Sequence, residues 1–345
     1  MSERGAKTLK ELASRLDVSI ATVSRALAGD PAIAQKTRER VAEAARAYGY
    51  VPNTAARALV SGRSGFVGLV LPIHGPNLVD FFLGEFITGL GDGLVSRGHH
   101  LILATAPEGE PELSVLRHLV ESGRADGVVI TRIGETDERL AYLQSRGIPF
   151  VAHGRLLDDE DSYSWIDTDG AAAFGEAFDM LYDLGHRRFA LLTISESMTF
   201  RHRRQDGLAA AVARRGDPEV TLDVVTAPRF DRGARVEAIS HILNSPERPT
   251  AVIALFDDLA LTLMEEAARA GLSIPRDLSV IGFDNILASA YAPPGLTTFD
   301  ASIQQTAREL GQMLVEIIEN KPARLPNRLV QPTLVARASH GPAPG

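Results

Sequence analysis

The sequence predicts an N-terminal all-α helix-turn-helix domain joined to an α/β core of two doubly wound parallel-sheet subdomains. Three observations predict it. Residues 8–27, TLKELASRLDVSIATVSRAL, read as two short helices separated by a three-residue turn. Charge divides the 345-residue chain: residues 1–63 are net +5, with 11 Lys and Arg against 6 Asp and Glu, and the remainder is net −13 within a total of −8. From residue 66 onward, short apolar runs alternate with helical patterns through two rounds. A basic head on an acidic body is the asymmetry of a protein in which one domain meets phosphate.

The head is built element by element. Thr8 and Glu11 form a T-x-x-E capping box that starts the first helix. Leu9, Leu12, Ala13 and Leu16 give it one apolar face. Asp17-Val18-Ser19 is the turn, and Ser19 caps the second helix. Ile20, Val23, Ala26 and Leu27 are expected to pack inward, leaving Ala21, Thr22, Ser24 and Arg25 to face out. Small outward residues let a helix enter a DNA groove, and Arg25 supplies a positive fork. Gly29-Asp30-Pro31 stops this helix. A third runs over 34–48, with Val41, Ala44, Ala45 and Tyr48 inward and Lys36, Thr37 and Arg38 placed for phosphates. The segment 52–59, PNTAARAL, is a short Ala-rich turn or two, too short to hold a helix alone in water.

VSIATVSRAL, then KTRERVAEAARAYGYVPN, then ARAL resemble the DNA-binding domain and hinge of the lactose-repressor (LacI/GalR) family of bacterial transcription regulators. The resemblance implies that Ile20 and Ala21 reach base edges, that Arg25 reads a base such as guanine, that Thr8, Thr22, Ser24 and Thr37 fall on phosphate-contacting positions, and that Ser19 belongs to the DNA-binding set. It makes 52–63 a hinge helix that folds when paired across a homodimer. Leu59 is then the wedge in the minor groove, Ala56 the small residue permitting close approach, and Asn53 a further DNA contact. The chain departs from the family pattern at Ala28, where Asn is frequent, and at Ala34, where Ser usually caps the third helix.

In the body, strands are expected at 66–72, 101–104, 126–130 and 150–152, separated by helices at 82–97, 112–122 and 137–146. A second round has strands at 189–192, 220–225, 251–254 and 280–283, with helices at 170–184, 202–215, 233–244 and 258–270. Alternation of this kind implies parallel sheets, whose ligands sit beyond the carboxyl ends of the strands. The polar residues following strands are therefore the candidates: His74 and Asp80, His153 and Arg155, Arg203 and Arg204, Asp257 and Asp258, Asp284 and Asn285, with Trp165, Asp167 and Asp169 at the crossover. Carboxylates, Arg forks and the only Trp of the chain suit a polyhydroxylated ligand.

SVIGFDN and APPGLTT resemble the same family's effector domain, which is periplasmic-binding-protein-like. The resemblance implies effector-binding roles for Asp284, Arg204 and Asp169. LFDDLAL matches a stretch that usually holds Asn-Asp, with Phe256 in place of the Asn. PFVAHGR resembles a saccharide-responsive subgroup, which adds His153 and Arg155 and points to an α-glucoside or similar oligosaccharide. The implied domains are 1–51 (DNA-binding), 52–63 (hinge and linker), 64–167 with 299–325, 168–298 with 326–340, and a loose tail at 341–345. The final strand, 328–335, is expected in the second subdomain.

The expected function is a sequence-specific regulator whose partners are a pseudo-palindromic double-stranded operator, a saccharide and a second copy of the chain. The alternatives are a sugar receptor with no regulatory role and a corepressor-type regulator with a non-sugar effector. The chain has no cysteine, and His99-His100 lacks ligand spacing, so no metal or cofactor is expected. No G-x-S-x-G, P-loop or H-E-x-x-H is found, so no enzyme is expected. The glycines of 89–93 lie in a helical pattern and are read as packing. No apolar run reaches the ~18 residues of a membrane span, and the first fifteen residues hold no signal-peptide core, so a cytoplasmic location is expected.

Overall fold

The computed structural model describes residues 8–27, 30–50, 62–72, 81–107, 109–158, 162–322 and 324–345. The chain divides into two compact units, Met1–Ser64 and Gly65–Gly345.

The first unit holds α1 (Leu9–Leu16), α2 (Ile20–Leu27) and α3 (Gln35–Ala47). Thr8 Oγ1 accepts from the Glu11 amide at 3.2 Å, which starts α1. Asp17, at φ 51°, turns the chain out of α1, and the Val18 amide returns to Ala13 O at 3.1 Å. Ser19 Oγ then accepts from the Thr22 amide at 3.0 Å and starts α2. Leu12, Ala13, Val23, Ala26, Val41, Ala45 and Tyr50 form the small core. Ile20 is a correction: helical spacing places it with Val23 and Leu27, but it stands 50% exposed. The core is closed by Val23 and Ala26, and Ile20 in the first turn is left outside it. Ala34 precedes α3 without a side-chain cap, as its methyl group dictates.

The second unit contains a six-stranded sheet in the order β11-β5-β4-β3-β1-β2 and a four-stranded sheet in the order β7-β6-β8-β9, both parallel. The first round is β1 (Phe66–Pro72), α4 (Phe81–Val95), β2 (His100–Ala106), α5 (Glu112–Glu121), β3 (Gly127–Thr131), α6 (Glu138–Arg146), β4 (Phe150–His153) and β5 (Trp165–Thr168). The second is α7 (Gly170–Asp183), β6 (Arg188–Ile194), α8 (Thr199–Arg215), β7 (Thr221–Ala227), α9 (Arg232–Asn244), β8 (Ala251–Ala254), α10 (Asp257–Arg269) and β9 (Ser279–Ile281). Then come α11 (Leu287–Tyr291), β10 (Thr298–Asp300), α12 (Ile303–Asn320), β11 (Arg328–Val330) and β12 (Thr333–Val335). The period of two sends Val67, Leu69, Leu71, Val129 and Val151 to one face of the first sheet and Val70, Val128, Ile130 and Ala152 to the other. Both faces are covered, which is the doubly wound arrangement.

Gly89 and Gly93 do serve packing. A β-carbon at either would stand 1.9 Å from Gln304 O or 2.2 Å from Arg308 O, so α4 and α12 touch backbone to backbone.

Two boundaries are corrected. The expected last strand is two strands: β11 extends the first sheet beside β5, and β12 pairs antiparallel with β10. Residues 328–330 therefore belong to the first subdomain, and the chain crosses once more just after them. The tail is not loose. Gly341 O accepts from His186 Nε2 (3.0 Å) and Ser279 Oγ (3.3 Å), and the Ala343 amide donates to Leu184 O at 3.0 Å.

Candidate functional site

Strand ends of both sheets converge on one cavity, with about 720 Å³ of empty space including its open mouth. From the first sheet come Thr131 at the end of β3 with Arg132 after it, His153 at the end of β4 with Gly154 after it, and Asp167 and Thr168 from β5. From the second come Thr199, Phe200, Arg203 and Arg204 on α8, Arg229 after β7, Phe256 after β8 and Asp284 after β9. Phe82 and Ile303 complete the walls.

Arg204 is placed by a glycine and an aromatic ring. A β-carbon on Gly170 would lie 2.7 Å from Arg204 Cγ, so only glycine leaves room for the side chain. Its guanidinium stacks 3.7 Å above the Phe283 ring and donates to Leu255 O. Burial lowers its pKa to about 10, although Asp284 and Asp167 favour the charge. It remains a cation at neutral pH.

Asp284 follows β9 at φ 108°, a conformation strained for any residue with a side chain. The surroundings impose it. Its amide donates to Phe299 O at 2.9 Å, and Arg337 clamps the next residue through Asn285 Oδ1 at 2.6 Å. Beneath the turn, Asp257 accepts from the Ile286 amide (3.0 Å), Ser289 Oγ (2.6 Å) and Thr298 Oγ1 (2.6 Å). Burial pushes the Asp257 carboxyl up to about 6 against these three donors.

His153 packs between Phe82 and Phe86, each ring 5.4 Å away. Burial lowers its pKa, with Asp167 opposing and Arg204 reinforcing the shift, so the ring is neutral at pH 7. His153 Nε2, Thr131 Oγ1 and Thr168 Oγ1 are buried with no hydrogen-bond partner among the described residues. Unpaired buried polar atoms are costly, and three at one cavity point to a polar ligand that satisfies them.

The structure brings together His153, Asp167, Arg203, Arg204 and Asp284 among the expected ligand residues. Asp258 and Asn285 are engaged elsewhere, Asp258 by Arg235 and Asn285 by Arg337 and Asp300. Four others do not line the cavity. Asp257 is enclosed beneath it, its oxygens committed to the Asp284 turn. Asp169 caps α7 through the Ala172 amide at 3.0 Å and holds Gln331. Trp165 is 6% exposed in the core on the far face of the first sheet and offers no stacking surface. Arg155 acts at one remove, with its Nε 3.1 Å from Asp167 Oδ2. His74 and Asp80 lie outside the described residues. The sequence reading does not single out Thr131, Arg132 and Thr168, although they directly end or follow strands. Phe82, Phe200 and Arg229 give no local signal, since only packing of the two subdomains brings them to the cavity.

On the head, Ile20, Ala21, Ser24 and Arg25 are exposed on α2, and Thr8 and Ser19 are exposed at the helix starts. Thr22 and Thr37 are half-buried. Ser19 Oγ is engaged by the Thr22 amide and hydroxyl. Asn53, Ala56 and Leu59 lie outside the described residues.

Residues 8–53 match the family model described as bacterial regulatory proteins, lacI family. Residues 178–340 match the periplasmic binding protein-like domain. The chain is 37% identical over 342 residues to the HTH-type transcriptional regulator AglR of Rhizobium meliloti, covering 97% of this chain and 95% of that one. It is 30% identical over 342 residues to the HTH-type transcriptional regulator CelR of Thermobifida fusca, covering 98% and 100%. A solved transcriptional regulator CelR–cellobiose complex is similar at a TM-score of 0.73 and 26% identity, covering 97% of this chain and 100% of that chain. The lac repressor dimer bound to operator and the anti-inducer ONPF shares the fold, with a TM-score of 0.81, 21% identity, and 96% and 98% covered.

Proposed function

The chain belongs to the lacI family of bacterial regulatory proteins and is a DNA-binding transcriptional regulator, and we propose that a saccharide bound in the cleft controls it. The observation that carries the reading is the trio of buried, unpaired polar atoms at one cavity, on Thr131, His153 and Thr168. Beside them stand a buried guanidinium, Arg204, and a carboxylate on strained backbone, Asp284. Hydroxyls both donate and accept, so a sugar satisfies all of these groups at once. Phe82, Phe200 and Phe256 supply apolar faces for its ring. The similar CelR complex holds cellobiose, which supports a disaccharide. An α-glucoside is the member of that class we favour.

On this reading α2 enters the major groove with Ile20, Ala21 and Arg25 toward base edges, and 52–63 is the hinge that pairs across a dimer. A second copy covers exposed apolar residues: Phe81 and Val95 on α4, Leu103 on the edge strand β2, Val224 on the edge strand β7, and Leu287 and Tyr291 on α11. Saccharide binding shifts the core toward a state that separates the hinges and releases the operator. The cytoplasm is where such a protein meets its operator. Among the described residues no helix is long and apolar enough to cross a membrane.

A thermal-melting screen of maltose, sucrose, trehalose, cellobiose, glucose and nucleosides tests the reading, since a ligand stabilises by RT ln(1 + [L]/Kd). A disaccharide is expected to raise the melting temperature and to weaken binding to DNA selected from a random duplex pool. A nucleoside that did both while every saccharide did neither would overturn it.

A further inference from the structure

The second helix of the head ends on an ion pair that recognition of a base does not require. Arg25 Nε donates to Asp30 Oδ2 at 2.7 Å, with Arg25 54% and Asp30 29% exposed. Asp30 is itself fixed. Its Oδ1 accepts from the Ala32 amide at 2.8 Å. Its amide donates to Arg25 O at 3.0 Å, and its carbonyl accepts from the Ile33 amide at 3.0 Å and from Arg38 Nη1 at 3.2 Å. The carboxylate is thus a fixed post, and the arginine leans on it.

We propose that Asp30 is the positioning residue that makes Arg25 a reader of one guanine rather than a phosphate clamp. This rests on the reading that Arg25 meets a base. A guanidinium carries donors on Nε and on both terminal nitrogens, so it can approach an acceptor pair side-on through Nε or end-on through the two termini. Asp30 occupies Nε. The end-on fork is left, and it matches the O6 and N7 acceptors of guanine in the major groove. Holding the side chain before DNA arrives removes rotamer entropy that binding would otherwise cost. The carboxylate also offsets the cation locally, which weakens its pull toward phosphates that carry no sequence information. The same contact lowers the pKa of Asp30 chiefly through the Arg25 hydrogen bond, so the carboxylate is ionised wherever the protein works near neutrality.

The test uses the full-length dimer and duplexes selected by it from a random pool, then every single base-pair substitution in the selected site, read by fluorescence anisotropy. Asp30→Asn keeps an amide oxygen for the Ala32 amide and turns its NH2 toward Arg25. Asp30→Ser keeps a short cap that cannot reach Arg25. Both are expected to lose about tenfold discrimination at one G·C pair per half-site and little elsewhere. Affinity for unselected duplex is expected to rise, with a salt slope steeper by about one. Arg25→Ala is expected to relax the same pair, and Arg25→Ala with Asp30→Asn to lose nothing further at it. If Arg25→Ala relaxes that pair and both Asp30 variants keep full discrimination, the positioning role is overturned. Uniform weakening at all positions by the Asp30 variants would mark a purely structural role and overturn it equally. If Arg25→Ala relaxes no pair, the base-reading assignment fails and the proposal fails with it.

Discussion

His202 Nε2 stands 2.7 Å from Glu135 Oε1, joining α8 of the second subdomain to the loop after β3 of the first. The pair sits beside a bridge between Gly134 and Met198. Thr199 sends both its amide (3.0 Å) and its hydroxyl (3.2 Å) to Ile133 O. Together these contacts latch the cleft. The His–Glu pair is half-exposed, so Glu135→Gln is expected to speed saccharide release only about twofold. Thr199→Val removes a buried hydrogen bond at constant shape and is expected to speed release about fivefold. Stopped-flow dissociation of the sugar found by melting reads both. Release unchanged in the Thr199 variant would show that the latch does not hold the ligand.

Gly170 and Arg204 are mutually fitted. A methyl group at Gly170 would meet Arg204 Cγ at 2.7 Å and Nε at 3.0 Å. The arginine has no free retreat, because it stacks on Phe283 and bonds Leu255 O. Gly170→Ala is expected to weaken saccharide binding at least about tenfold, since a misplaced donor to a ligand forfeits a charged hydrogen bond worth ~1.5–3 kcal/mol. DNA binding without sugar should be unaffected. Calorimetric titration giving wild-type affinity would remove Arg204 from the site.

The residues that were legible in the sequence are those whose role is local. The cap at Thr8, the turn at Asp17 and the alternation of β1 through β4 and of β6 through β9 follow from near neighbours. Asp257 and Asp284 looked alike, each a carboxylate just after a buried strand. Their fates differ through Ser289 and Thr298, 32 and 41 residues from Asp257, which draw its carboxylate inward. Gly282 completes the distinction, since a β-carbon there would stand 2.1 Å from Asp257 Oδ1. Trp165 departs from the sequence expectation for a similar reason. It opens β5, a four-residue strand with an internal Asp that gave no alternation to count, and the pleat sends its ring to the core. The Gly and Pro content of the tail predicts a loose end, but its anchors are His186 and Ser279, far back in the chain.

The Asp257 carboxyl predicts a specific pH dependence. Its pKa is raised in the fold from 3.8 to about 6, chiefly by burial. The native state therefore holds a proton that the unfolded chain releases, and this group's contribution to stability is largest at low pH and is lost as pH rises through about 6. Between pH 7 and pH 5 the wild type is expected to gain about 1 kcal/mol of unfolding free energy that Asp257→Asn does not gain. Parallel urea titrations of the two proteins at both pH values measure the difference. An equal change in both would show that Asp257 titrates as an ordinary carboxyl.

Asp284 combines backbone strain with its proposed role in saccharide binding, and two substitutions separate them. Asp284→Ala and Asp284→Gly both delete the carboxylate, so both should abolish the sugar response and keep operator binding. They differ in the backbone they ask for. At φ 108° an alanine keeps the strain and a glycine relieves it. Such strain costs ~1–3 kcal/mol, while glycine gives back ~0.4–1 kcal/mol through a freer unfolded chain. The glycine variant is therefore expected to be the more stable of the two by about 1 kcal/mol in denaturant unfolding without ligand. An alanine variant as stable as the glycine one would mean that the turn after β9 relaxes once the carboxylate is gone. The Arg337 clamp on Asn285 argues against such relaxation, because it fixes the neighbouring residue from outside the turn.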